Sequence, residues 1–292
     1  MIDYHIHPDY SIDADPFSMD SYCRKALEIG LREICFTTHC EFDPLRKHLD
    51  WFVRCRGGIA PMHPAGWLEQ YFQDVAACSE AYTGSGLVVR AGLEAGYDLG
   101  LEREIEDVLC QYPFDFVIGS VHCLDHVAIS SGNESPGYFA GKKPETVAAA
   151  YFKTLRAAVA TGLFDVIGHL DIYRRHGTKF FGDEMKVIYR EYIGDILDLM
   201  LKNGTGLEIN TSSLRHGQGA FYPGTEILTE AVMKGIRHFT VGSDCHRVSE
   251  LGRGVFQALR VADNLGVNIS VYEKRQPKSM SKNWLLFNDS EK

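Results

Sequence analysis

Two periodicities alternate along the chain. Seven short apolar, β-rich runs fall at about 2–7, 32–38, 87–94, 114–121, 164–169, 206–211 and 236–243. Most are followed by apolar residues spaced three and four apart, the mark of an amphipathic helix. The first helix is predicted to start near Ser18, to bury Tyr22, Ala26 and Leu27, and to stop at Gly30. Pro64 opens a helix over 65–82 that Gly84 closes, and Pro144 opens 145–160, closed by Gly162. Asp183 is expected to cap the longest helix, 184–202, with Ile188, Tyr192, Ile196, Leu199 and Met200 at helical spacing. Pro223 opens 224–234, and 250–265 follows the last run. Strand–helix alternation repeated seven times predicts parallel strands joined by crossover helices.

Such strands form either an open doubly wound sheet or a closed barrel. An open sheet concentrates its chemistry at one switch point. A barrel brings every strand's C-terminal end to one mouth. Here polar candidates end at least six runs, which predicts a distorted seven-stranded, TIM-like α/β barrel. Three long connections, 41–63, 123–143 and 211–223, are expected at the active face. The segment Trp284-Leu285-Leu286-Phe287 is expected to be extended, with a frayed end after it. Neither repeats nor a linker interrupt the pattern, so one domain over 1–292 is expected.

The strand ends carry the chemistry. Asp3-Tyr4-His5-Ile6-His7 puts His5 and His7 on one face of the first strand, since strand side chains alternate. Asp13 lies in the loop beyond. Later runs end in Thr37-Thr38-His39, Gly92-Leu93-Glu94, Ser120-Val121-His122, Gly168-His169-Leu170-Asp171 and Asp244-Cys245-His246. Carboxylates crowded in one cavity raise each other's pKa unless cations intervene. Imidazole with carboxylate suits zinc, manganese or iron. Six histidines and three carboxylates, with Asp171 apart, are too many for one ion and enough for three if Glu94 bridges two. His48, His63, His126, His176, His216 and His238 lack this placement; His176 and His216 lie in active-face loops, and His238 starts a strand at the other end. Cys40, Cys123 and Cys245 adjoin ligand histidines and, by alternation, should face away.

Bulk properties narrow the partners. Net charge is −9 over 292 residues, so phosphate-backbone electrostatics give nucleic acid no purchase. No apolar run is long enough for a bilayer, and no basic and then apolar leader opens the chain. Eight cysteines without C-x-x-C spacing fit a reduced, cytoplasmic thiol set. Neither nucleic acid nor membrane is therefore expected as a partner, with room left for a homodimer.

With these residues in view, the pattern resembles the PHP (polymerase and histidinol phosphatase) family, whose marks run from His5 to His246. Gly168-His169-Leu170-Asp171 with Arg174, Leu207-Glu208-Ile209-Asn210-Thr211 with Arg215, and Gly242-Ser243-Asp244-Cys245-His246-Arg247 are similar to its histidinol-phosphate phosphatase branch. The resemblance implies a seven-stranded barrel. It also implies a division of ligands: one ion on His5, His7, Glu94 and Asp244; a second sharing Glu94 with His122 and His169; a third on Asp13, His39 and His246. Asp13 stands where many relatives carry histidine, and Thr-Thr-His replaces the commoner Thr-Asp-His.

The reaction implied is hydrolysis of L-histidinol phosphate in histidine biosynthesis, with a metal-bridging hydroxide attacking phosphorus in line. Of Arg174, Arg175, Arg215 and Arg247, Arg174 and Arg215 are expected to neutralise the phosphoryl oxygens, and Asp171 or His216 to protonate the leaving group. Glu41, Asp43, Trp51, Phe52 and Tyr222 are candidates for the imidazole and ammonium. Three rivals stand beside this: another phosphoesterase, a barrel amidohydrolase (disfavoured because no lysine ends a strand), and a non-catalytic metal-binding or polymerase-associated module.

Overall fold

A computed structural model describes residues 1–217 and 221–280, apart from the side chain of His216. The expected extended segment at Trp284–Phe287 lies outside the described residues. Seven parallel strands pair in chain order: β1 (Ile2–Ile6), β2 (Glu33–Cys40), β3 (Val88–Gly96), β4 (Phe116–Ser120), β5 (Val166–Ile167), β6 (Gly206–Asn210) and β7 (Phe239–Gly242). The sheet curls until its edges nearly meet. Ile6 forms a parallel bridge to Cys245, and the His7 amide donates to the Cys245 carbonyl at 2.9 Å. Asp3 completes this seam. Its buried carboxylate accepts the Ser243 amide on one oxygen (2.8 Å) and the Gly252 amide on the other (2.9 Å).

Helices cover the outside, as the 3.6-residue periodicity requires: α1 (Met19–Glu28), α2 (Leu68–Thr83), α3 (Glu102–Gln111), α4 (Pro144–Thr161), α5 (Arg174–Phe181), α6 (Ile193–Asn203), α7 (Thr225–Lys234) and α8 (Val255–Asn264). Helices α3 and α5 are additions to the sequence expectation. The predicted helix 184–202 is broken. A turn at Glu184–Val187 passes through a 3-10 segment, Ile188–Glu191, before α6 begins, and Asp183 makes no side-chain cap. Beside the break Arg174 donates to the Lys186 carbonyl at 2.7 Å and ties the turn to α5. The longest helix is therefore α4, with proline in its first turn and left-handed Gly162 behind it.

The long connections are partly ordered into hairpins, Phe52–Cys55 with Gly58–Pro61 and Cys123–Leu124 with Val127–Ala128. A third hairpin, Ser270–Glu273 with Gln276–Ser279, closes the opposite end of the barrel. There Tyr4, Phe116 and Tyr272 pack ring on ring, and Arg275 pairs with Asp165 at 3.0 Å. No helix among the described residues is long and apolar enough to cross a membrane.

Candidate metal centre

The C-terminal ends of the strands build one polar chamber. Its hub is Glu94 at the end of β3, 1 % exposed. The two carboxylate oxygens face different histidines. Oε2 lies 3.3 Å from His5 Nε2, 3.4 Å from His7 Nε2 and 2.9 Å from His39 Nδ1. Oε1 lies 3.1 Å from His122 Nε2 and 2.9 Å from His169 Nε2, and accepts the Ser120 hydroxyl at 2.6 Å. Asp244 Oδ1 sits 3.8 Å from His5 Nε2 and 3.3 Å from His7 Nε2. At the outer rim Asp13 Oδ2 lies 3.6 Å from His39 Nε2 and 3.2 Å from His246 Nε2. All nine residues singled out from strand ends and the first loop are thus drawn together.

The atoms fit cations. His5 Nε2, His7 Nε2, His39 Nδ1 and Glu94 Oε2 are buried without a hydrogen-bond partner, although the first three surround the fourth. Buried polar atoms are normally satisfied, so such a group of orphans marks a site for something else. The spacing agrees: metal–nitrogen bonds of about 2.0–2.1 Å set tetrahedral ligands roughly 3.3 Å apart. Four His/Asp/Glu groupings here bring their donor atoms close enough for an ion. Charge balance agrees too. Burial opposes ionisation of Glu94, but the imidazoles of His5, His122 and His39 overcome it and hold the carboxyl well below its usual range. Burial, with His39 and His246 nearby, holds His7 well below the usual imidazole range. Protons and divalent ions compete for these atoms.

The surrounding residues hold the donors in place. Glu208 accepts from His5 Nδ1 at 2.6 Å and from the His169 amide at 2.8 Å, fixing two strand ends with one carboxylate. Glu41 stands 2.8 Å from His122 Nδ1 in the same relation. His169 (φ 24°) and Asp244 (φ 53°) adopt left-handed backbone, strained for side chains of their kind and characteristic of functional sites. Gly242 permits the close approach of β1 and β6: a Cβ there would stand 2.3 Å from the His5 Cβ and 2.5 Å from Glu208 Oε1.

Several expectations need correction. Arg174 is buried and spent on Asp171 Oδ2 (2.8 Å), Glu226 Oε1 (2.7 Å) and the Lys186 carbonyl, so it does not reach the chamber. Asp171 lies away from the chamber lining: its Oδ2 is taken by Arg174 and the Gly224 amide, its Oδ1 is buried without a hydrogen-bond partner, and its burial, opposed by Arg174, pushes its carboxyl up to about 6. Arg215 donates to the Ser243 and Asp244 carbonyls (2.6 and 2.7 Å) and supports the strained turn from behind. Among the arginines it is Arg175 that lines the chamber, while Arg247 is exposed. The side chain of His216 lies outside the described residues. His176 bonds the Ser130 carbonyl, and His238 lies near Ser270 at the opposite end.

Of the proposed substrate contacts, Glu41 and Phe52 line the chamber, whose volume is about 430 Å³. Asp43 instead pairs with His126, and Trp51 and Tyr222 do not line it. Cys40 and Cys245 are buried, whereas Cys123 lines the chamber, because β4 has ended at Ser120 and strand alternation no longer applies. The sequence reading left Glu208 without a role and did not single out Asp50. A carboxylate inside the apolar run of β6 was the available sign for the first; Asp50 gave none.

The model of the family described as PHP domain matches residues 3–212. A probable histidinol-phosphatase of Deinococcus radiodurans is 28 % identical over 260 residues, covering 87 % of this chain and 90 % of the relative. A histidinol-phosphatase of Lactococcus lactis is 27 % identical over 247 residues, 84 % of each. Among solved structures, histidinol phosphate phosphatase from Lactococcus lactis, complexed with zinc, L-histidinol and phosphate, superposes with a TM-score of 0.77 at 23 % identity, over 95 % of this chain and 98 % of the other. A putative histidinol phosphatase from Listeria monocytogenes gives 0.75 at 23 % identity, over 88 % and 99 %. These two structures share the barrel fold.

Proposed function

Because the chain belongs to the PHP domain family, we propose that it is a metal-dependent phosphomonoesterase that hydrolyses L-histidinol phosphate to L-histidinol and phosphate. One observation carries the chemistry: three unpartnered imidazole nitrogens surround an unpartnered oxygen of Glu94. The names of the curated relatives support the substrate. Three divalent ions, of zinc, manganese or iron, are the proposed complement. His5, His7, Glu94 and Asp244 would hold one, Glu94 with His122 and His169 a second, and Asp13, His39 and His246 a third. When bound, such ions acidify water and neutralise phosphoryl charge.

The chain's own residues do the rest. Glu94 serves two sets of histidines with its two oxygens, which fixes their mutual position. Glu208 and Glu41 orient His5 and His122 through the ring nitrogens turned away from Glu94. Arg175 is the arginine proposed to meet the phosphoryl oxygens, in place of Arg174 and Arg215. Eight free thiols support a cytoplasmic setting. We read residues 1–292 as one barrel domain.

The direct test measures phosphate release from histidinol phosphate and from a generic aryl phosphate by the metal-loaded protein. A clear preference for histidinol phosphate is expected. Equal or better turnover of the aryl ester leaves a phosphoesterase of other specificity.

A further inference from the structure

Setting aside the nine proposed ligands, three charged side chains line the chamber among the described residues: Glu41, Asp50 and Arg175. Glu41 is engaged by His122. Asp50 is held by Arg46 through both carboxylate oxygens. The same guanidinium also binds Glu134 at 2.7 and 2.9 Å and the His126 carbonyl at 2.7 Å. One buried positive charge is therefore shared between two carboxylates, and a negative charge is left over at the chamber wall. A carboxylate has about four acceptor positions, and Arg46 occupies two of those on Asp50. Leu49, Phe52 and Met62, which also line the chamber, give this wall apolar flanks. A wall with surplus negative charge among apolar side chains suits a cation carried on an apolar stem.

We propose that Asp50 is a specificity-determining residue that receives the ammonium group on the organic half of the substrate. The inference rests on the phosphatase reading of the chamber and names the residue that selects an amino-alkyl phosphate. Arg46 is a positioning residue: it fixes the Asp50 carboxylate from behind and ties the 41–63 connection to the 123–143 connection.

Calorimetric titration of the metal-loaded, full-length protein with L-histidinol and with its deaminated analogue, imidazolylpropanol, tests this without turnover. The wild type should bind histidinol at least about tenfold more tightly, the size of one charge-assisted hydrogen bond. Asp50→Asn, or Asp50→Ala should the first not fold, should bring the two affinities to within about threefold. Failure of histidinol to bind, a wild-type ratio near one, or an undiminished ratio in the folded variant overturns the proposal. Ammonium preference without phosphatase activity would sink the hydrolase reading alone. Phosphatase activity without that preference would sink only the role of Asp50.

Discussion

The two ends of the barrel bury polar groups in opposite ways. At the closed end Tyr4 donates to Glu33 at 2.6 Å, Arg275 pairs with Asp165, and Asp165 also accepts the Val117 amide at 2.8 Å. These polar groups have partners within the protein. At the open end three imidazoles converge on a carboxylate oxygen and none of the four atoms finds a hydrogen bond. Buried or part-buried polar groups stand at both ends, so burial alone does not mark function. An unmet demand for a partner does.

Substitutions can break this contrast. The largest effect is expected from Glu94→Gln, which removes the charge both histidine sets share. Phosphate release should fall by at least about 10³-fold, and elemental analysis should find most of the bound ions gone. Glu208→Gln keeps the shape but weakens its hold on His5 and His169. Ion affinity should drop roughly 10–100-fold, read by titration against a chelating dye. Stripping the ions from the wild type should lower thermal stability. Each ion present at about 100 times its dissociation constant contributes roughly 2.7 kcal/mol, recoverable on adding metal back. The smallest effect belongs to the closed end. Asp165→Asn should cost about 1–3 kcal/mol in denaturant unfolding while ion content per folded chain is unchanged. Loss of ions from that variant would mean the two ends are not independent.

The sequence exposes most of this arrangement because barrel strands end at one mouth. His5, His7, His39, Glu94, His122, His169, Asp244 and His246 sit at or just past strand ends, so alternation and spacing suffice to find them. The arginines were not legible in this way. Arg174 and Arg215 follow strand ends as Arg175 does, and only the tertiary fold decides which of them lines the chamber. Helix 184–202 shows the limit of periodicity: its apolar spacing is intact, and the 3-10 segment Ile188–Glu191 that interrupts it leaves no mark in that spacing. The role of Asp50 depends on Arg46 and Glu134, the latter 88 residues from Arg46, and no local pattern announces it.

Asp3 bears on how the molecule is made. The seam it ties joins residues 240 positions apart, so β1 keeps a bare edge until the last strand leaves the ribosome. His5 and His7 are made before Asp244 and His246 and wait for them through the synthesis of the strands between. A stalled or clipped product that lacks the final strand would carry an incomplete ion cage and an unguarded sheet edge, which makes it a target for chaperones and proteases rather than a weak enzyme.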